Sequence, residues 1–368
     1  MMIKNINAVG IYGNASLNGI ELAVLNTDGV DVHDYGLTAA IPYPEDLFGQ
    51  IRTLINQRII SFHELENNPQ VQKLRDKISD FYAETVTSFC NIEDIDVIGI
   101  DGLTVCHEPE NRCSYQLENG HKVSSRIARP IVTHFHKADL LAGGQAAPLS
   151  TSFYAMIAQN INKPALFIDV EAVTTLIYLG ESGEVMAFDA APGLALIEDW
   201  TFRHANMQTD YNGRLAATGQ IHQQIITPLL KHKILHKQPP KSMDIHDFCD
   251  KKEHLEGLSL EDGAATANCF IAEAIYQAAL DFLPKIPSHI FISGRGTQNP
   301  SLLRQIKQNF APREPQNITT INPKLTCIGA QSTAFNAVRR LHGLPLTFPN
   351  TTGAYEPLTG GEIYENTK

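Results

Sequence analysis

One turn near the start of the chain has the composition of a phosphate-binding turn. The stretch Gly10–Gly29 reads GIYGNASLNGIELAVLNTDG, which is an apolar strand, a turn of small and polar residues, a second apolar strand and a hairpin turn. Small residues let backbone N–H groups approach a phosphate closely. The stretch contains no lysine, so a phosphate bound there would be held by backbone donors and not by a side-chain cation. Two classes of protein fit this turn: a phosphate-handling enzyme, or a protein that keeps the turn without the chemistry.

The elements that would carry this turn occur twice. Residues Ala8–Tyr12 and Gly19–Asn26 are predicted as strands, and NTDG is a hairpin signal before a third strand. The stretch Pro164–Gly193, PALFIDVEAVTTLIYLGESGEVMAFDAAPG, repeats the order of strand, turn, strand, hairpin and strand at matching lengths. This repeat predicts a duplicated α/β domain with a cleft between the copies. The competing interpretation is that two unrelated meanders look alike.

Helical and strand patterns fill much of the remaining chain. Residues 45–90 are predicted as helical, because apolar residues recur there at helix spacing. The run DVIGIDG, at 96–102, is typical of a buried strand that delivers a loop to the carboxyl edge of a sheet. Further helices are predicted at Ala195–His204, Leu260–Phe282 and Gly329–His342, and HIFISGRGTQNPSLLRQI is predicted as a strand, a Gly-rich turn and a helix. The closing stretch TTGAYEPLTGGEIY is predicted as turns.

Length and composition exclude several classes of protein. The chain has 368 residues, enough for about two domains of ~150 residues each. A formal net charge of −11 argues against a general nucleic-acid binder, because no basic surface would neutralise phosphates. No apolar run approaches the ~18 residues of a membrane span, and the first ten residues lack the apolar segment of a signal peptide. The six cysteines are scattered with no CxxC pair, which favours reduced thiols in a cytoplasmic protein.

Eight short motifs together carry a family resemblance. In order along the chain they are SLNGIELAVLNTDG, GLTVCHEP, ADLLAGGQAAPL, FDAAPGLALIEDW, DYNGRLAATG, QPPKS, GLSLEDGAAT and HGLPLTFPNTTGA. Together they resemble the anhydro-N-acetylmuramic acid kinases of bacterial cell-wall recycling, in the superfamily of sugar kinases, actin and heat-shock ATPases. The resemblance implies an α/β fold with two duplicated RNase H-like (actin-like ATPase) domains around a central cleft. We expect one domain at 1–130 plus 341–368 and the other at 131–340.

The resemblance also implies an activity and a catalytic base. In this family, ATP phosphorylates the 6-position of the sugar while water opens the 1,6-anhydro ring, and an aspartate activates that water. By resemblance this aspartate is Asp189, which ends an apolar strand and opens a Pro-Gly turn. A base must lie within hydrogen-bond reach of its water, and partial burial would raise its pKa towards neutrality. The alternative role for Asp189 is to cap the helix that follows.

The binding residues follow from the same resemblance. ATP with Mg²⁺ would contact the phosphate hairpin and the nucleotide loop: Asn14, Ala15, Ser16, Leu17, Asn18, Gly19, Ile20, Glu21, Gly294, Arg295 and Gly296. The amino sugar would contact Asp101, Thr104, His134, His136 and Gln145. His134 and His136 would also suit a metal on one strand face, but no cysteine or third histidine lies at a telling spacing. The protein itself is therefore expected to hold no resident metal, and a cytoplasmic homodimer is the expected form.

Several positions depart from the family pattern. The phosphate turn of the family, Gly-Thr-Ser-Leu-Asp-Gly, is here changed at Asn14, Ala15 and Asn18, which removes a close-approach glycine and a carboxylate suited to hydrated Mg²⁺. Glu171 stands where a Gly-Gly pair is frequent, and Arg295 interrupts a run of three glycines. Arg295 would stack on adenine, clamp a phosphate or fill the site. Two hypotheses stay open: an ATP-dependent sugar kinase with altered loops, or a catalytically silent homologue that binds a ligand or partner.

Overall fold

The chain forms two compact units. The computed structural model describes residues 4–13, 17, 19–248 and 255–365, so the predicted turn residues Asn14, Ala15, Ser16 and Asn18 lie outside the described part. The first unit comprises residues 1–157 and 326–368, and the second comprises residues 158–325.

Strands and helices alternate along the described chain. The strands are β1 (Ile6–Gly13), β2 (Ile20–Thr27), β3 (Val32–Ile41), β4 (Val97–Asp101), β5 (Thr104–Glu108), β6 (Cys113–Gln116), β7 (Ile131–Thr133), β8 (Ala165–Val170), β9 (Val173–Leu179), β10 (Val185–Pro192), β11 (His289–Ser293), β12 (Gln316–Asn317) and β13 (Glu362–Tyr364). The α-helices are α1 (Glu45–Gln57), α2 (Phe62–Asn67), α3 (Pro69–Phe89), α4 (Gly120–Ile127), α5 (Lys137–Leu141), α6 (Thr151–Ile157), α7 (Leu194–Ala205), α8 (Arg214–Thr218), α9 (Gln223–Leu229), α10 (Leu260–Phe282), α11 (Pro300–Phe310), α12 (Ile328–Leu341) and α13 (Pro349–Thr352).

The main sheets of the two units share one topology. The sheet of the first unit has the order β13-β7-β4-β1-β2-β3, and that of the second has the order β10-β9-β8-β11-β12. In each sheet the first three strands along the chain form an antiparallel meander. The fourth strand then pairs in parallel with the first, and the fifth pairs in parallel with the fourth. Numbered within each unit, this arrangement is the 3-2-1-4-5 order of an RNase H-like fold, with β13 as an extra edge strand in the first unit. The predicted duplication of an α/β domain is confirmed.

Helix α12 belongs to the first unit because two glycines let it lie directly on the sheet. Gly10 of β1 and Gly99 of β4 are partners in the parallel register. A Cβ atom at Gly10 would lie 1.8 Å from the carbonyl oxygen of Ala330, and one at Gly99 would lie 2.6 Å from that of Thr333. The helix therefore needs both glycines in order to pack this closely.

The observed unit boundaries differ from the expected ones for a physical reason. The expected boundaries at 130/131 and 340/341 are replaced by 157/158 and 325/326. Strand β7 follows the expected first boundary, yet it pairs in parallel with β4 of the first sheet. Helix α12 precedes the expected second boundary, yet it covers β1 and β4.

The second unit is built around α10 and the only tryptophan of the chain. Helix α10 has the bounds expected from the sequence, and it is buried over most of its length. It starts at an N-cap serine, Ser259, whose side chain accepts a hydrogen bond from the backbone N–H of Asp262. The Trp200 side chain is fully buried, and its indole N–H donates to the carbonyl of Leu260 at 2.9 Å. This core fixes β10 and α7, which carry residues of the candidate site.

Two other local predictions are corrected. The region predicted as helical at 45–90 is divided into α1, α2 and α3. The closing stretch is not made of turns alone, because it contains the end of α13 and the whole of β13, which pairs antiparallel with β7. In the described part of the chain, no helix has both the length and the apolar character that crossing a membrane requires.

Candidate active site

Asp189 is a buried carboxylate whose two oxygens each accept a hydrogen bond. It lies in β10, where the pairing with β9 is irregular, and only 6% of the residue is exposed. Oδ1 accepts from the Thr175 hydroxyl at 2.8 Å, and Oδ2 accepts from the backbone N–H of Met243 at 2.9 Å. Burial raises the pKa of Asp189 to about 6, although both hydrogen bonds act to lower it. A pKa raised in this direction is what a general base would need.

Asp189 does not cap the following helix. The N-cap of α7 is Gly193, which supplies no side chain, and the first N–H groups of the helix donate to backbone carbonyls. Leu194 donates to the carbonyl of Glu171 at 2.7 Å, and Ala195 donates to that of Ala172 at 3.2 Å. The structural alternative for Asp189 is thus wrong, and its carboxylate is oriented by Thr175 and Met243 instead.

Arg295 forms an ion-pair triad with two carboxylates in the second unit. Its Nε lies 3.1 Å from Oε2 of Glu171, and its Nη1 lies 2.9 Å from Oε1 of Glu198. The backbone N–H of Arg295 also donates to Oε1 of Glu171 at 2.9 Å. Because Glu198 lies on α7, which directly follows β10, the triad joins the helix after Asp189 to the turn after β11.

The Gly294–Gly296 turn follows β11 at the carboxyl edge of the second sheet. Gly294 has a φ of +77°, which favours glycine, and a Cβ atom there would lie 2.5 Å from the carbonyl oxygen of Val170. A Cβ atom at Gly296 would lie 2.5 Å from the Cβ of Val170. Both glycines therefore serve the close approach of the turn to the end of β8.

Part of the predicted phosphate hairpin lies in the described chain. Leu17 is buried with a φ of 63°, and Gly19 has a φ of 138°. A Cβ atom at Gly19 would lie 2.1 Å from the carbonyl oxygen of Ile41, so only glycine fits there. Ile20 and Glu21 begin β2 and are buried at 2% and 7% exposure.

In the first unit, Asp101 and His136 form an ion pair. Asp101 ends β4, and its Oδ1 lies 3.0 Å from Nε2 of His136. The other ring nitrogen, Nδ1, lies 2.7 Å from the carbonyl oxygen of Ala146. Because a carboxylate and a carbonyl only accept, both ring nitrogens must carry a proton. Burial acts to lower the pKa of His136, but the charge and hydrogen bond of Asp101 outweigh it, and the net pKa is raised.

A polar network links this pair to two other predicted sugar contacts. The His107 ring lies 6.5 Å from that of His136, centroid to centroid, and His107 hydrogen-bonds to the backbone of Gln145. Nδ1 of His107 also lies 3.1 Å from the hydroxyl of Ser114. The side-chain amide of Gln116 donates to that hydroxyl at 2.8 Å and to the hydroxyl of Thr104 at 3.1 Å. The structure thus brings Asp101, Thr104, His136 and Gln145 into one network.

His134 pairs with a carboxylate that the sequence analysis did not select. Nδ1 of His134 lies 3.4 Å from Oε1 of Glu118, and the Thr133 hydroxyl donates to the same oxygen at 2.6 Å. Glu118 has no exposed surface, and burial raises its pKa to about 7. The sequence carries no signal for this role, because the space for Glu118 is visible only in the structure, where a Cβ atom at Gly102 would lie 2.0 Å from its Oε2.

The structure does not support a metal between the two histidines. His134 and His136 lie beyond the end of β7 and not on a strand face, and His134 has a φ of 57°. Each histidine pairs with a carboxylate of its own. Over the described ranges, no group of three or more His, Cys, Asp and Glu side chains is arranged to hold a metal ion.

With this geometry established, comparison with known proteins identifies the family. A model of the anhydro-N-acetylmuramic acid kinase family matches residues 6–366. The chain belongs to the anhydro-N-acetylmuramic acid kinase family. The anhydro-N-acetylmuramic acid kinase of Paramagnetospirillum magneticum is 34% identical over 361 residues, which cover 96% of this chain and 98% of the relative. That of Acidiphilium cryptum is 34% identical over 360 residues, which cover 97% of this chain and 98% of the relative.

Solved structures also resemble the chain at low identity. Component A of the (R)-2-hydroxyglutaryl-CoA dehydratase of Acidaminococcus fermentans is 12% identical, covers 92% of this chain and 99% of that one, and superposes with a TM-score of 0.43. The assignment to the anhydro-N-acetylmuramic acid kinase family rests on the family match and the two relatives.

Proposed function

We propose that this member of the family phosphorylates the 6-position of 1,6-anhydro-N-acetylmuramic acid, or of a related anhydro amino sugar, with ATP while water opens the anhydro ring. The observation that carries the proposal is Asp189, a buried carboxylate held by two hydrogen bonds with a pKa raised to about 6. The two relatives of 34% identity, both named anhydro-N-acetylmuramic acid kinase, support the substrate class.

Asp189 would act as general base for the water. The water oxygen attacks the anomeric carbon, the bond from that carbon to the bridging oxygen breaks, and the freed oxygen at position 6 attacks the γ-phosphorus of ATP. ADP leaves, and the water proton passes to Asp189. Thr175 and Met243 each occupy one acceptor site of the carboxylate, and an ionised carboxylate has about four such sites, so it can still accept that proton.

ATP would lie at the carboxyl edge of the second sheet. Open α/β sheets bind ligands there, and the Gly294–Gly296 turn follows the last residue of β11 at this edge. Mg²⁺ that accompanies ATP keeps several waters and is held largely by the phosphates. Among the described residues, no three His, Cys, Asp or Glu side chains are grouped to hold a metal.

The sugar would contact the network in the first unit. The Asp101–His136 pair presents an acceptor and a donor, and Thr104 and Gln145 belong to the same network. Sugar hydroxyls both donate and accept, so paired groups of this kind suit them. His134 with Glu118 would be a second such pair.

The test is phosphorylation by the purified protein and by Asp189→Asn. We expect mass spectrometry to show the 6-phosphate, with one oxygen from labelled water at the anomeric carbon. Asp189→Asn should lower kcat at least ~100-fold, because the base is lost. For the unmodified protein, kcat/KM should fall as the pH drops through about 6, since a protonated Asp189 cannot accept the water proton.

Asp199→Asn is the control for this experiment. Asp199 lies on α7 of the same unit and pairs with Arg203 at 2.8 Å, so its loss should leave the rate unchanged. An Asp189→Asn protein that is folded and as fast as the unmodified protein would remove Asp189 from the mechanism. Binding of the sugar and Mg-ATP in a calorimeter with no phosphorylation by any form would favour the silent homologue.

A further inference from the structure

Lys241 is a lysine without exposed surface next to the candidate base. Its Nζ donates to the carbonyl of Leu235 at 2.7 Å and to that of Ile234 at 3.1 Å. The same ammonium lies 4.6 Å from the centre of the Phe282 ring and 5.8 Å from that of Phe188. A fully buried lysine is rare unless it is paired, so two carbonyls and two aromatic faces explain how the charge is tolerated.

The backbone around Lys241 holds Asp189. The N–H of Asp189 donates to the carbonyl of Lys241 at 3.0 Å, and the N–H of Met243 donates to the Asp189 carboxylate at 2.9 Å. The Lys241 side chain therefore links the 241–243 segment to residues 234–235. The same segment binds Asp189 at its backbone N–H and at its carboxylate. Release of the ammonium would free that segment and with it one of the two donors to the carboxylate.

Among the described residues, the charged groups with the largest effects on the pair are Asp281, Lys237 and Asp247, which lie in the second unit. Burial lowers the pKa of Lys241 to about 8, while Asp189 and Asp281 act to raise it and Lys237 acts to lower it. For Asp189, burial is the largest influence and raises the pKa, Lys241 acts to lower it, and Asp247 acts to raise it. Lys241 thus favours the ionised form of Asp189.

We propose that Lys241 is a positioning residue for Asp189, because its ammonium fixes the 241–243 segment that binds both the backbone N–H and the carboxylate of Asp189. This role is separate from catalysis, because Lys241 has no exposed surface through which it could reach a ligand. The contacts and charges of Lys241 and Asp189 do not depend on the proposed function. Only the consequence for the rate rests on the proposed function.

The experiment follows the Asp189 carboxyl by ¹³C NMR as a function of pH. Protein with labelled aspartate is used, and the resonance is assigned by its absence in Asp189→Asn. Lys241→Met should raise the pKa of Asp189 by about one unit, the low end for loss of a nearby opposite charge, and Lys241→Arg should restore most of the difference. An Asp189 that titrates identically in folded Lys241→Met and unmodified protein would overturn the proposal.

Lys163 provides a matched control. Its Nζ also donates to two backbone carbonyls, those of Ala158 and Ile161, and it lies in the same unit. Lys163→Met should leave the titration of Asp189 unchanged. An equal change in both variants would mean that loss of any such lysine perturbs the unit, which would overturn the specific role.

Two further measurements keep the test decisive. If Lys241→Met does not fold, the unmodified protein still answers, because the Asp189 resonance should show a second inflection near pH 8 as Lys241 loses its proton. A resonance with no second inflection at any pH at which the protein stays folded would overturn the proposal. In kinetics, Lys241→Met should lower kcat/KM several-fold at pH 6 and less at pH 8. Absence of phosphorylation by every form would defeat the proposed function alone, since the NMR titration still decides the role of Lys241.

Discussion

At the scale of the residue, two departures from the family pattern prove to be one interaction. Glu171 and Arg295 are far apart in the sequence, and each by itself suggests a weakened nucleotide loop. In the structure they are ion-paired at 3.1 Å, and Glu198 completes the triad at 2.9 Å. A lone carboxylate at this sheet edge would repel a triphosphate, whereas the guanidinium balances one of the two charges. The described contacts of the Arg295 guanidinium are with these two carboxylates, and its stacking on adenine, its clamping of a phosphate and its filling of the site stay predictions.

The triad predicts a large stability effect for one arginine. Arg295→Met should lower the free energy of unfolding by about 3 kcal/mol, because it leaves two carboxylates with only 14% and 6% side-chain exposure facing each other without a cation. Urea denaturation followed by circular dichroism measures the change.

Arg203 is the matched control for this prediction. It also pairs with two carboxylates, Asp199 at 2.8 Å and Glu256 at 3.1 Å, but its side chain is 30% exposed and that of Glu256 is 56% exposed. Arg203→Met should cost no more than about 1 kcal/mol, since solvent screens such pairs. Equal losses of unfolding free energy in the two variants would show that burial does not make the Arg295 triad more important for stability.

At the scale of the element, the packing of α12 on the first sheet depends on two paired glycines. Gly10 and Gly99 stand side by side in β1 and β4, and the helix backbone occupies the space that their side chains would take. This close approach fixes β4, whose last residue is Asp101 of the candidate sugar contact. The strand that carries the candidate sugar contact Asp101 is therefore packed against a helix from the C-terminal part of the chain.

A single methyl group should disturb this packing. Gly99→Ala should lower the free energy of unfolding by at least about 2 kcal/mol, because the added Cβ would lie 2.6 Å from the Thr333 carbonyl oxygen and the helix must shift. Gly49 in α1 has no atom within 4 Å of the corresponding Cβ position. Gly49→Ala should instead be neutral or stabilise by up to about 1 kcal/mol, since alanine is the better helix former. Thermal unfolding of both variants tests this, and a stable Gly99→Ala protein would contradict the close packing.

At the scale of the whole molecule, the two units differ in how the chain builds them. The second unit is one continuous stretch, residues 158–325, and its core contains Trp200, Phe270 and Phe310. The first unit needs two separate stretches, because α12 and β13 return to it from the C-terminal end. The predicted cleft between the domains stays a prediction.

This difference predicts which half of the chain folds alone. A fragment of residues 158–325 should unfold in one cooperative transition, since it contains a complete sheet and its own core. A fragment of residues 1–157 should show none, because without α12 the Gly10 and Gly99 face of its sheet is uncovered. Urea titration of the two fragments by circular dichroism checks both statements. Trp200 fluorescence reports independently on the 158–325 fragment. A folded 1–157 fragment or an unfolded 158–325 fragment would contradict the division.

Local sequence patterns already predicted the main helix of the second unit, the repeated strand meander and the family. Apolar spacing predicted α10 with its observed bounds, and strand and turn signals predicted the meander of β1 and β2 and its repeat after Pro164. Motif order predicted the family, which the match over residues 6–366 confirms. These features are readable because helix periodicity, strand alternation and turn chemistry depend on residues a few positions apart.

Only the tertiary structure decided which distant residues meet. Nothing local indicates that β13 pairs with β7, that α12 covers β1, or that Arg295 lies between Glu171 and Glu198. Glu118 likewise appears in the sequence as one more polar residue, and its pKa of about 7 arises only from the burial that the fold imposes. The physical reason is that burial and ion pairing depend on contacts across the chain, where side chains far apart in sequence lose water together and change each other's charge.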